Sequence, residues 1–207
     1  LPLKYFEIHR RLGFAIPAVE KGLPVKHSYR GHTFNSDTSK VLVVYQPPEG
    51  CLRVLRPEDT QIPGLPELIQ QVLPLSNPEV IRIDAEPSAQ PPAFMGPEPE
   101  ADWCRYLAAA ELARQKGDWL QAIAAGEEAF TRSRGPTDPA EYLPIIEAYA
   151  HPRRWDEAAE LTNLAASGSD LKPVLCQTWR QINSAISQSP DEQALLASIH
   201  AELGCSP

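Results

Sequence analysis

Apolar positions follow two rhythms along this chain, and the change between them falls at a proline-rich stretch. In the first part they come as short runs of β-formers. His27–Phe34 alternates in part, Val41–Tyr45 is a short β-branched run, and Cys51–Arg56 follows the turn-forming Gln46-Pro47-Pro48-Glu49-Gly50. These read as three strands, the last two joined as a hairpin. Leu65–Leu73 has helical spacing with Pro66 in its first turn, and Val80–Asp84 reads as one more strand, so the order is β-β-β-α-β. Residues 1–24 are ambiguous, because Gly13 and Pro17 interrupt the pattern begun by Leu3, Phe6 and Ile8. Five of the 22 prolines lie in 87–99, which predicts an extended linker.

Beyond the linker the spacing is helical throughout. It predicts helices at 101–116, 119–132, 139–150, 155–166, 172–187 and 190–203. Gly117-Asp118 ends the first of them. Asp138 caps the third, with Pro139 at its first position, and Pro144 either kinks that helix or delays its start. Asp170 and Ser189 are candidate caps for the last two. The fold class is therefore α+β: a small N-terminal α/β sheet module followed by an all-α array. The divisions are a juxtamembrane-like segment at 1–24, the sheet module at 25–86, the linker at 87–99, helical repeats at 100–168 and capping helices at 169–207.

Two of the helical segments align with two others. Gly117-Asp118-Trp119-Leu120-Gln121-Ala122 lies over Arg153-Arg154-Trp155-Asp156-Glu157-Ala158, with the tryptophans 36 residues apart. The flanks are compatible: Tyr106 falls on Tyr142, Ala113 on Tyr149, Gly126 on Thr162 and Ala129 on Ala165. This resembles the tetratricopeptide repeat, whose period is about 34 residues. In that pattern small and aromatic residues of a first helix accept a second, and an alanine after the turn lets the backbones approach. Arg153 replaces the turn glycine in the second copy. The resemblance implies a scaffold that presents a face to a peptide or partner domain.

Charge and cysteine content narrow the partners. The net charge of -8 argues against nucleic acid, which needs a basic face. Residues 1–40 run the other way, with Lys4, Arg10, Arg11, Lys21, Lys26, Arg30 and Lys40 against Glu7, Glu20 and Asp37. A basic first segment on an acidic body suits a membrane surface or another anionic partner. Cys51, Cys104, Cys176 and Cys205 form no C-x-x-C pair; their even number allows a disulfide in an oxidising compartment, while Cys104 and Cys176 lie in apolar helical patterns and read as buried free thiols. No run of about 18 apolar residues is present, and the chain starts at Leu1 rather than methionine, as expected of a fragment or processed product.

Catalytic motifs are missing from the sequence. It has no nucleophile elbow, phosphate loop, dinucleotide glycine pattern or zinc-protease helix, and so predicts no catalytic residue, metal or cofactor. His27 and His32, read on one strand, point to opposite faces and cannot share a metal. His151 ends a helix, where a cation meets the dipole favourably. Glu127-Glu128 and Asp156-Glu157 are adjacent on helices and read as solvated surface. The candidate ligand contacts are Tyr29, Arg30, His32 and Tyr45, aromatic and polar groups on the sheet module able to hold a sugar.

Five segments carry a broader resemblance: Cys51-Leu52-Arg53-Val54-Leu55, Gly96-Pro97-Glu98-Pro99, Trp103-Cys104-Arg105-Tyr106, the run from Leu112 to Trp119, and that from Tyr142 to Tyr149. Over most of 27–180 the chain resembles the C-terminal soluble region of uncharacterised bacterial multi-pass membrane proteins. Their membrane part looks like that of polytopic glycosyltransferases using lipid-linked sugars. The resemblance implies a non-catalytic accessory domain, membrane-associated through a preceding part, with an extracytoplasmic side favoured. Its partner would be another protein or its own membrane domain. The alternatives are a glycan-binding domain that takes a glycan or lipid-linked sugar, and a free-standing adaptor.

Overall fold

The computed structural model describes residues 20–82, 100–167, 170–186 and 189–205. The expected linker at 87–99 and most of the 1–24 segment lie outside these residues. The architecture is α+β: two small antiparallel sheets precede the helical array.

β1 (Pro24–Tyr29) and β2 (His32–Asp37) form a hairpin in register from Pro24 opposite Asp37 to Tyr29 opposite His32. Its turn, Arg30-Gly31, has φ of 46° and 80°. Two positive φ values match the twist of the flanking strands, and Gly31 adopts one without a Cβ penalty. This corrects the reading of 27–34 as one strand: the chain reverses in its middle. β3 (Val43–Tyr45) and β4 (Arg53–Leu55) form the second hairpin around the expected turn.

α1 (Glu67–Val72) follows, with Pro66 at its N-cap rather than inside its first turn. The strand expected from Val80 is a 3-10 turn, Pro78–Val80. Pro78 fixes a turn-compatible φ, Asn77 accepts the Glu79 amide at 3.2 Å, and the Ile81 amide returns to Pro78 at 2.9 Å. Positions 83 and 84 lie outside the described residues. The observed order is thus β-β-β-β-α.

Among the described residues six further helices then pack in pairs: α2 (Trp103–Gln115) with α3 (Trp119–Arg132), α4 (Leu143–Ala150) with α5 (Trp155–Ala166), and α6 (Lys172–Ala185) with α7 (Pro190–Leu203). Each first helix also packs on its predecessors: α4 meets α2 and α3, and α6 meets α4 and α5. Local caps set many boundaries. Asp102, Asp118 and Asp138 accept backbone amides at their helix or 3-10 starts, and Ser189 forms a full capping box with Glu192. Pro144 delays its helix: a 3-10 turn at Pro139–Tyr142 precedes α4. Asp170 is not a cap; Leu171 holds that position without a side-chain bond.

The two aligned turns match down to their hydrogen bonds. Gly117 (φ 71°) and Arg153 (φ 65°) are both left-handed. Asp118 donates to the Ala113 carbonyl and Arg154 to that of Tyr149, each at 2.9 Å. Ala122 and Ala158 are both fully buried, as are Ala129 and Ala165 to within one per cent. Gly126 sits so close to α4 that an added Cβ would lie 3.0 Å from Ile145. Its counterpart Thr162 instead accepts the Trp179 indole of α6 at 3.0 Å. Among the described residues no helix is long and apolar enough to cross a membrane.

Buried residues of the sheet module (Val43, Cys51, Leu55, Ile62, Leu65, Leu73) and of the helices belong to one continuous core. All four cysteines are paired, Cys51 with Cys104 and Cys176 with Cys205, at Cα separations of 5.2 and 5.6 Å. This corrects the free-thiol reading: both pairs lie within the range a disulfide spans. Sequence spacing does not reveal that Cys51, two residues before β4, meets Cys104 in the first turn of α2.

Candidate functional site

The expected ligand-contact residues divide between the two sheets. Tyr29, Arg30 and His32 gather at the tip of the first hairpin, all exposed, with the Arg30 guanidinium 5.2 Å over the Tyr29 ring. Tyr45 belongs to β3, opposite Arg53, and packs half-buried against the core. The hairpin register also puts positions 27 and 32 on the same side, not on opposite ones, because a cross-strand neighbour shares its partner's face. Among the described residues no group of three or more His, Cys, Asp or Glu is placed to hold a metal.

A buried polar cluster lies elsewhere, where β4 meets the 3-10 turn before α4. Arg53 is 6% exposed and Glu141 1%. Arg53 Nη2 is 3.4 Å from Asp138, close enough for an ion pair. Glu141 Oε1 accepts the Cys51 amide at 2.6 Å, beside the Cys51–Cys104 disulfide. Glu141 Oε2, Arg53 Nε and Nη2, and Trp103 Nε1 are buried without a hydrogen bond. Burial, with Asp138 adding to it, raises the Glu141 pKa, although the Cys51 amide and Arg53 pull it back. Gly50 is required here, since a Cβ would lie 2.9 Å from Glu141 Oε1 and 2.4 Å from Pro47. A cleft of ≈ 330 Å³ bordered by Pro47, Gly50 and Asp138 opens at the same junction. The buried Arg53 and Glu141, with the partly exposed Asp138, form a clamp between the sheet module and the 3-10 turn that leads into α4. Sequence reasoning missed it; the one signal was an arginine inside an otherwise apolar strand.

The same module reaches every first helix of the array. Arg56 pairs with Glu147 of α4 at 3.9 Å, the Gln177 side chain of α6 donates to the Glu58 carbonyl at 2.6 Å, and Gln115 of α2 donates to that of Pro78 at 2.8 Å. Arg114 bonds both Glu111 and, at 2.6 Å, Glu147. Burial opposes ionisation of Glu147, but Arg114 and Arg56 outweigh it and hold its pKa below the ordinary value. Burial raises that of nearby Asp59.

The expected surface carboxylates are partly organised too. Glu127 and Glu157 converge on Arg154, which also lies 4.7 Å over the Tyr149 ring. His151 is the C-cap of α4; its ring stacks on Trp119 at 3.6 Å, and burial lowers its pKa despite Glu147. A second groove, ≈ 490 Å³, runs between α6 and α7, with His200 on its wall. No protein-family model, curated protein or solved structure matches the chain.

Proposed function

We propose that the chain is a non-catalytic accessory domain of a membrane protein, built on a tetratricopeptide-like array whose main contact is with its own sheet module. One observation carries this reading: residues 51–78 engage α2, α4 and α6 in turn, through Cys51–Cys104, Arg56–Glu147 and Glu58–Gln177. In a repeat scaffold the face made by successive equivalent helices is the natural binding surface. Here that surface is used within the chain. The matching turns at Gly117 and Arg153 support the repeat reading. The two disulfides favour an oxidising compartment, and with it the extracytoplasmic side.

The test is to cut the chain at a protease site introduced within 87–99 and then reduce it. The two halves should co-elute in size-exclusion chromatography, held by the shared core and buried ion pairs. Separation on reduction would mean that the helical face is open to other proteins, and the intramolecular reading would fall.

A further inference from the structure

We propose that the β1–β2 hairpin is a docking arm that seats its Tyr29–Arg30 tip in the interface of an anionic phospholipid bilayer. The inference concerns the hairpin alone and does not rest on the helical contact proposed above. The strands pair only with each other, and no residue described between 20 and 40 is buried. The arm is tied at its base, where Thr38 and Leu23 exchange hydrogen bonds of 2.9 Å and the Thr38 hydroxyl donates to Glu20. Six residue pairs extend it by roughly 20 Å.

Its surface has the composition of an interfacial anchor. Tyr29 is 58% exposed and Phe34 37%, and the register puts them with His32 on one face. Residues 21–36 carry Lys21, Lys26 and Arg30 and no acid, in a chain of net charge -8. Aromatic rings with polar tips favour the headgroup level, and lysine and arginine reach lipid phosphates while their stems stay in the apolar layer. A bilayer needs only the tip. The charge complementarity selects an anionic one.

Co-sedimentation of the intact chain with vesicles of equal parts phosphatidylglycerol and phosphatidylcholine tests this. Binding is expected at low salt, fading as salt screens the charges, and absent with phosphatidylcholine alone. Lys26→Gln and Arg30→Gln should each lower binding about fivefold. Tyr29→Ser with Phe34→Ser should lower it about tenfold with the charges intact. Arg132→Gln, the same charge change on α3, should leave it unaltered. All these variants should keep the wild-type thermal midpoint, since none alters a buried residue. No binding to the anionic vesicles, equal binding to neutral ones, or an equal loss with Arg132→Gln would overturn the proposal.

Discussion

The two hairpins share a topology and differ in almost everything else. β1–β2 has the longer ladder, six pairs against three, yet no buried residue among those whose side chains are described. β3–β4 has few ladder bonds, but Val43, Cys51, Arg53 and Leu55 all lie in the interior. Ladder length is therefore a poor guide to how firmly a hairpin is held. An isolated two-stranded sheet is marginal in water, and its stability comes from what its side chains cover. The short hairpin is part of the core and clamps the array; the long one is an arm on its surface.

The strongest break in this comparison is Arg53→Ala. It leaves Asp138 and the buried Glu141 without their cation and should cost about 3–5 kcal/mol in denaturant unfolding. Next comes Cys51→Ser with Cys104→Ser. This bond closes a sequence separation of 53 residues, and its loss should cost about 2–4 kcal/mol, read as a lower thermal midpoint without reductant. Glu147→Gln should cost about 1.5–3 kcal/mol near neutral pH, because it takes the charge from the Arg114 and Arg56 partner. The sign of its pH dependence follows from the lowered pKa. Stabilisation by Glu147 is complete above its ordinary value of 4.5 and is lost as pH falls through the lower folded value. The variant's stability should consequently fall less steeply on acidification, as melts across that range would register. At the weak end, Tyr29→Ala should shift stability by no more than about 0.5 kcal/mol, as surface changes do. A large shift there would mean that the arm is packed after all.

What could be read in the sequence was local. α3, α5 and α7 run between the expected residues because Gly117-Asp118, Trp155 and the Ser189 box mark ends by neighbouring chemistry. The likeness of the two turns is visible for the same reason, since Trp119 and Trp155 sit at fixed distances from them. Arg153 shows that a non-glycine residue can hold the left-handed position, with Glu192 paired to its side chain at 2.7 Å. What the sequence left open depended on which segments meet. The disulfides, the Arg53–Asp138 pair and the Cys51–Glu141 bond join residues far apart in sequence, and no periodicity encodes them. In the first hairpin one glycine inside eight strand-like residues outweighs their β propensity, and the chain turns at Arg30-Gly31.

Hydrogen–deuterium exchange, followed peptide by peptide, tests the central claim most directly: that the sheet module from β3 onward is bound into the helical array as one unit. Amides of 43–45 and 53–55 should exchange only on global unfolding, together with those of α4, while amides of 24–37 exchange orders of magnitude sooner. If 43–55 exchanged as fast as the first hairpin while α4 stayed protected, the module would be undocking from the array, and the account would be wrong.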